Sequence, residues 1–143
     1  MLIGEYRHSL DAKQRVIIPA KFREELNENF IITKGLDNCL FIYPATEWEK
    51  IETKLKSLPL TNRDVRSFLR TFYAGAVSES LDRQGRVVLP QNLRDHAHID
   101  KDVVIIGVST RVEIWDLKTW EAYNAEQSMS YEDIAEKMED LGI

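Results

Sequence analysis

Residues 9–23 read SLDAKQRVIIPAKFR and residues 80–94 read SLDRQGRVVLPQNLR. Seven of the fifteen positions are identical, and three larger apolar residues of the first stretch, Ile17, Ile18 and Phe22, correspond to Val88, Leu89 and Leu93 in the second. After one inserted residue the match resumes in three equivalent pairs: Gly35 and Gly107, Ile42 and Ile114, Trp48 and Trp120. Self-similarity of this kind indicates an internal duplication. Each copy is too short to bury a sizeable core alone, so we expect the two copies to share one.

Composition limits the class of protein. A chain of 143 residues with 43% hydrophobic residues suits one globular domain, or two small halves that act as one. Its single cysteine, Cys39, excludes an intrachain disulfide framework, and we expect it to be a buried apolar residue. No apolar run reaches membrane-spanning length, and the first residues lack the apolar segment of a signal peptide. We therefore expect a cytoplasmic protein without a membrane partner.

The net charge of −5 is unevenly distributed. Residues 113–143 contain nine acidic and two basic side chains, so the rest of the chain is slightly basic. A cluster of five basic residues with only Asp11 as an acid lies near the first copy of the repeat: Arg7, Lys13, Arg15, Lys21 and Arg23. Local potential governs the attraction of phosphates more directly than total charge does. On charge alone, this cluster is equally compatible with a solvated surface.

The pattern of apolar residues predicts the same elements in each copy. Alternation, a polar turn and a β-branched run stopped by proline predict strand, turn, strand and short helix, followed by two further strands. Helical periodicity predicts helices over 45–58, over 62–73 with Thr61 as N-cap, and over 131–141 with Ser130 as N-cap. The apolar stripe of the last helix needs a partner, either its own core or a neighbouring subunit. We expect a first repeat at 1–58, a connecting helix at 59–76 and a second repeat at 77–143, forming one unit.

The repeated turn has the pattern LDxxxRV. Aspartate favours turn starts because its carboxylate accepts backbone N–H bonds. An arginine four positions later begins the returning strand, so we expect the two residues to lie on either side of one hairpin, close enough to pair. Gly85 suits a positive φ in the second turn, whereas Gln14 in the first predicts a different turn or slight strain. The pairs Asp11–Arg15 and Asp82–Arg86 are either structural clasps or devices that orient two arginines. Exposed pairs contribute little to stability, which favours the second interpretation.

The segment LDRQGRVVLP resembles the signature of AbrB-type swapped-hairpin DNA-binding domains, and LDAKQRVIIP is a variant of it. Two such copies in one chain, each with D-x-x-x-R, resemble the MraZ family. The resemblance implies an α+β fold with a mainly β core, built as a pseudo-twofold swapped-hairpin β-barrel with flanking helices. It also implies a ring-shaped homo-oligomer that regulates transcription in the bacterial cytoplasm and nucleoid. The implied partner is double-stranded DNA with short direct repeats, in the promoter of its own division and cell-wall gene cluster.

Both lines of reasoning predict a non-enzymatic DNA-binding regulator without cofactor or metal. Arg15 and Arg86 are the candidates for base or phosphate contact, with Asp11 and Asp82 orienting them. The candidates for holding the DNA backbone are four further cations: Arg7, Lys13, Lys21 and Arg83. The alternative is an oligomeric protein-binding module, antitoxin-like or scaffold-like, that uses the same paired loops. His96 and His98 are poorly spaced for a metal site.

Overall fold

The computed structural model describes residues 1–26, 28–127 and 129–142, and its strands follow the same order in both copies. The first copy holds β1 (Leu2–Ser9), β2 (Arg15–Ile17), β3 (Phe30–Lys34) and β4 (Leu40–Pro44). The second copy holds β5 (Val77–Glu79), β6 (Arg86–Val88), β7 (Asp102–Ser109) and β8 (Val112–Asp116). The predicted order of strands in each copy is therefore confirmed.

The helices lie between and after these strands. They are α1 (Ala20–Leu26), α2 (Ala45–Lys56), α3 (Arg63–Ala74), α4 (Gln91–His96), α5 (Leu117–Ala125), α6 (Tyr131–Lys137) and a 3₁₀ helix, Met138–Leu141. The predicted helix 45–58 ends two residues early, and the predicted helix 131–141 is divided between α6 and the 3₁₀ helix.

One of the two predicted helix caps is correct. Thr61 was the wrong N-cap for α3: Asn62 takes this position, because its side chain accepts hydrogen bonds from the backbone N–H groups of Asp64 and Val65. Ser130 caps α6 as predicted. Its hydroxyl accepts from the backbone of Asp133 while the Asp133 carboxylate accepts from the backbone of Ser130, which is a capping box.

The two copies exchange strands within one antiparallel sheet of order β1-β7-β8-β4-β3-β5. The first strand of each copy pairs with the third strand of the other, and β4 pairs with β8 at the centre. There Phe41 lies opposite Glu113, which holds the equivalent position in the second copy. The pairing is thus unchanged when the copies are exchanged, which defines a pseudo-twofold axis through this residue pair.

The expected closed β-barrel is not present. The six-stranded sheet is open, with β1 and β5 at its edges, and β2 and β6 form a separate two-stranded sheet, called the ribbon below. Closure would require the edges to hydrogen-bond to each other or to the ribbon along their length. Among the described residues, the three-residue β5 pairs with β3 and with no other strand. The ribbon instead covers the sheet through side chains.

Apolar side chains fill both faces of the large sheet. The larger cluster lies between the sheet and the ribbon and includes the equivalent residues Phe22 of α1 and Leu93 of α4, both fully buried. Burying a side chain of this size contributes about 1.5–3 kcal/mol. The second cluster lies on the opposite face under α2, α3 and α5, and contains Cys39 and the three tryptophans, Trp48, Trp115 and Trp120. Cys39 is buried, as predicted.

None of the helices in the described ranges has the length and apolar character needed to cross a membrane.

Candidate functional site

In the first turn, residues 11–15, one carboxylate organises both the backbone and the arginine. Oδ1 of Asp11 accepts hydrogen bonds from the backbone N–H groups of Lys13 at 2.9 Å and Arg15 at 3.0 Å. Its other oxygen, Oδ2, accepts from Nε of Arg15 at 2.8 Å. Because Nε donates this bond, the N–H donors on the two outer nitrogens of the guanidinium are not used by it.

The second turn, residues 82–86, repeats this arrangement. Oδ1 of Asp82 accepts from the backbone N–H groups of Gln84 and Arg86, both at 2.9 Å, and Oδ2 accepts from Nε of Arg86 at 2.9 Å. One contact has no counterpart in the first turn. Nη2 of Arg86 donates to Oε1 of Gln84 at 2.9 Å, whereas Lys13, at the equivalent position, is itself a cation. The second arginine is therefore held more tightly than the first.

The two turns share one backbone conformation despite the difference between Gln14 and Gly85. Both residues have positive φ, 62° and 77° respectively, and each donates a backbone hydrogen bond to the carbonyl of its turn's aspartate at 3.0 Å. The expectation of a different first turn was wrong, and the alternative expectation, of slight strain, fits the left-handed conformation of a non-glycine residue. The tertiary structure imposes this conformation through the ribbon.

The ribbon joins the two turns across the copies. β2 does not fold back on β1 as the predicted local hairpin requires; it pairs with β6, and Val16 lies opposite its equivalent, Val87. Two further bonds extend this pairing, from the Ile18 N–H to the Gly85 carbonyl at 2.9 Å and from the Leu89 N–H to the Gln14 carbonyl at 3.0 Å. Each turn is thus anchored by the other copy's strand.

This pairing gathers the four predicted residues of the two clasps into one cluster. Val16 and Val87 point into the core, so Arg15 and Arg86 lie on the outer face of the ribbon. Nη1 of Arg86 lies 4.0 Å from Oδ2 of Asp11, so the second arginine reaches the clasp of the first. The two clasps are therefore adjacent and related by the pseudo-twofold axis.

Both arginines remain accessible. About a quarter of each side chain is exposed, 25% for Arg15 and 24% for Arg86. Within the part of the chain that the structure describes, neither Nη atom of Arg15 has a hydrogen-bond partner. An oriented guanidinium with free donors can bind two acceptors at once, such as guanine O6 and N7 or two phosphate oxygens.

The turn geometry also keeps both aspartates ionised. Hydrogen bonds from the backbone N–H of Arg15 and then from its guanidinium outweigh the opposing desolvation and lower the pKa of Asp11 below its ordinary value. The pKa of Asp82 is lowered in the same way, chiefly by the backbone N–H of Arg86. The clasps therefore remain charged near neutral pH, and the four charges of the cluster cancel formally.

Because the four charges of the two clasps cancel, any net positive charge at this surface must come from neighbouring residues. Lys13 and Arg83 lie in the two turns and Lys21 in the first turn of α1, and all three are exposed. Arg7 is also exposed, but its β1 position lies opposite Val104, whose side chain belongs to the cluster on the other face of the sheet. The structure therefore brings Lys13 and Arg83 to the clasps and leaves Arg7 on the far face.

Sequence reasoning left Arg23 and Arg94 out of the site. Nε of Arg23 donates to the Ile18 carbonyl at 2.8 Å, and Nε of Arg94 donates to the equivalent Leu89 carbonyl at 2.9 Å. The Arg23 guanidinium also lies where a side chain on Gly85 would stand, with its Cζ 2.3 Å from an ideal Cβ. Each arginine thus supports the ends of the ribbon. The sequence contained a signal for this role, because both copies of the repeat have arginine at this position.

The histidines near α4 have no ligand arrangement. Nε2 of His96 contacts the Gly35 carbonyl at 3.1 Å. No group of three or more histidine, cysteine, aspartate or glutamate side chains suited to a metal ion occurs among residues 1–26, 28–127 and 129–142.

Fold and site together define a duplicated α+β protein with an antiparallel sheet, in which two interlocked copies present paired Asp–Arg clasps on one ribbon. The family described as "MraZ protein, putative antitoxin-like" matches this chain twice, at residues 1–71 and 72–141. The chain belongs to this MraZ family.

Full-length relatives agree with this assignment. The chain is 61% identical over 143 residues to a Transcriptional regulator MraZ of Thermoanaerobacter sp. (strain X514) and 62% identical to one of Acetivibrio thermocellus. It is 60% identical to a protein of the same name from Clostridium tetani. In all three cases the match covers 100% of both chains.

Proposed function

We propose that this protein is a transcriptional regulator that binds double-stranded DNA sequence-specifically through the outer face of the ribbon. Arg15 and Arg86 contact bases or phosphates, and Asp11 and Asp82 orient them. Lys13, Lys21 and Arg83 hold the DNA backbone nearby. Arg7 lies on the opposite face of the sheet, so the proposal does not include it among the contacts of this surface.

The observation that supports this proposal most strongly is the duplicated clasp. Each aspartate accepts three hydrogen bonds, which fix its turn and its arginine. Donors on the outer guanidinium nitrogens remain accessible. Exposed ion pairs are a weak source of stability. Pre-orienting an arginine, by contrast, reduces the entropy lost when it binds a planar pair of acceptors.

The proposal includes a ring-shaped homo-oligomer bound to short direct repeats upstream of the chain's own division and cell-wall gene cluster. Each subunit offers one small ribbon, so a single contact would be weak. Repeating the ribbon in an assembly and the site along the DNA makes later contacts intramolecular, which raises avidity by about 10²–10⁴. The repeats at 1–58 and 77–143, joined by 59–76, act in it as one unit with a single DNA-binding face.

The C-terminal segment supplies the subunit contact in this proposal. Tyr131 is 81% exposed and Leu141 is 70% exposed, so these two residues of the predicted apolar stripe are not covered by the chain's own core. A groove of about 290 Å³ between the sheet, α2 and α3 is lined by apolar side chains and by Lys34 and Arg111. An acidic helix with an apolar stripe complements a basic-rimmed apolar groove, and we assign it to the groove of a second copy.

A protein-binding function is the competing candidate. The description of the family as antitoxin-like favours it, since an antitoxin binds another protein. In that case the same arginines would grip carboxylates of an acidic partner. This alternative predicts no preference for one DNA sequence over another.

Fluorescence anisotropy tests the proposal directly. The probe is a labelled duplex from upstream of the chain's own coding region, titrated at two salt concentrations with and without scrambled competitor. We expect binding that weakens steeply with salt, since counterions are released, and that resists scrambled competitor. Equal affinity for the scrambled duplex would contradict sequence-specific regulation and favour the protein-binding alternative.

A further inference from the structure

The outer face of the ribbon carries two exposed aliphatic side chains beside the arginines. Ile17 is 41% exposed and Val88 is 47% exposed, whereas Val16 and Val87 on the inner face are 0% and 3% exposed. The ribbon is therefore not simply apolar inside and polar outside.

The placement of these side chains repeats in both copies. Ile17 lies directly across the ribbon from Arg86, and Val88 lies directly across from Arg15. Ile17 and Val88 hold equivalent positions in the duplication. A single exposed aliphatic residue needs no explanation, but two related by the pseudo-twofold axis, each paired with a clasped arginine, form a regular mixed surface.

Resting on the proposed function, we infer that Ile17 and Val88 contact the C5-methyl groups of thymines in the DNA major groove. The groove admits a two-stranded β-ribbon, and thymine is the base that presents a methyl group there. The flanking arginines supply charge complementarity to the DNA and hydrogen bonds to guanine or phosphate. The aliphatic side chains are buried against the methyl groups.

The spacing along the ribbon limits the sites this surface can read. Arg15 and Ile17 are two residues apart on one strand, about 6.8 Å at the antiparallel rise. Successive nucleotides on a DNA strand are about 3.4 Å apart. The preferred half-site therefore contains thymine within about two base steps of the position bound by arginine.

Deoxyuridine substitution isolates the methyl group. Uracil keeps every hydrogen-bonding atom of thymine and lacks only the C5-methyl, so we compare the promoter duplex with the same duplex containing deoxyuridine throughout. We expect the wild-type protein to lose about fourfold in affinity for each buried methyl. The double variant Ile17→Ala, Val88→Ala should bind the thymine duplex more weakly and lose its discrimination against deoxyuridine.

Two control variants separate this effect from others. Arg15→Ala should bind both duplexes more weakly but keep the preference for thymine. Ile3→Ala removes an exposed isoleucine from the edge strand β1 and should leave both affinities unchanged.

The outcomes distinguish this inference from the proposed function. Binding of both duplexes with equal affinity, or a preference for thymine that persists in the Ile17→Ala, Val88→Ala variant, would overturn the methyl contact alone. Failure of the folded wild-type protein to bind the thymine duplex would overturn both.

Discussion

At the scale of single residues, each candidate arginine depends on one aspartate. Asp11 accepts three hydrogen bonds from its own turn, one of them from Nε of Arg15, and these bonds place Arg15 at the start of β2. Asp82 does the same for Arg86 at the start of β6. The resulting cluster has no net formal charge. Its capacity to bind an anion or a base edge therefore comes more from the fixed orientation of the guanidinium groups than from the electrostatic potential of the cluster.

The first prediction concerns the arginines. Arg15→Ala and Arg86→Ala should each reduce promoter affinity by about 1–3 kcal/mol per engaged subunit, because each removes a bidentate donor. Compared with Arg15→Ala, Arg15→Lys should recover little affinity if the arginine contacts a base edge and more if it contacts a phosphate. Lysine keeps the positive charge but lacks the two parallel N–H donors of the guanidinium. Anisotropy titration measures both. Unchanged binding in the single variants and in the double variant would refute the assignment.

The second prediction concerns the pH dependence of the clasps. Because folding lowers the pKa of Asp11 and Asp82, their contribution to stability is present above the ordinary value of 3.8 and is lost as the pH falls through the lowered folded value. NMR titration of the carboxyl carbons should give both pKa values below 3.8. In Asp11→Asn, Asp82→Asn, the stability difference from wild type should shrink in acid. A difference that is constant with pH would exclude an ionic clasp.

At the scale of elements, the ribbon forces a left-handed residue into each turn. The second copy supplies glycine, and the first supplies Gln14 at a φ of 62°. The Arg23 guanidinium occupies the space beside Gly85 and also donates to the Ile18 carbonyl, so a larger residue in this turn would have to displace Arg23. The two turns are alike in conformation and unlike in their tolerance of substitution.

The third prediction follows from this difference. Gln14→Gly should stabilise the protein by about 0.5–1 kcal/mol, since the relief of left-handed strain exceeds the entropic cost of glycine. Gly85→Ala should destabilise it by about 1–3 kcal/mol, because the new Cβ is strained and displaces Arg23. Urea denaturation measures both changes. A neutral Gly85→Ala would mean that the Arg23 side chain moves aside without loss.

At the scale of the whole molecule, the two faces of the sheet are covered by different elements. The ribbon covers one face and presents the clasps, while α2, α3 and α5 cover the other. The acidic C-terminal segment follows α5, and Asn124 of that helix lines a cleft with Ile134 and Met138. This segment therefore starts from the face opposite the ribbon and the two clasps.

The fourth prediction tests the proposed subunit contact. Ile134→Glu and Leu141→Glu place charges on the apolar stripe of the C-terminal segment, and together they should shift the protein towards monomer in sedimentation velocity. Promoter affinity should then fall through lost avidity while the unfolding midpoint of the subunit stays similar. As a matched control, Glu136→Gln changes the same helix without adding charge to the stripe. An unchanged oligomeric state in the double variant would contradict the assignment.

Much of the local structure follows from short-range patterns. The repeat predicted a turn with the D-x-x-x-R pattern in each copy, although not that Gln14 would adopt the conformation of Gly85. The helical periodicity predicted α2, α3 and α6, and Ser130 was recognisable as a cap. These features depend on residues within one or two turns of each other, where propensity, capping and hydrogen bonding to the adjacent backbone dominate.

The pairing of the first two strands of each copy, in contrast, is a long-range property. Local pattern predicted a hairpin within each copy, yet β1 pairs with β7 and β2 with β6. Which strands pair depends on which arrangement buries Val16, Val87 and the inner face of the sheet most completely. The order of residues along the chain does not show how much each arrangement would bury. The same long-range packing decides that Arg15 and Arg86 meet on one surface, that Arg7 lies on the other, and that the sheet stays open.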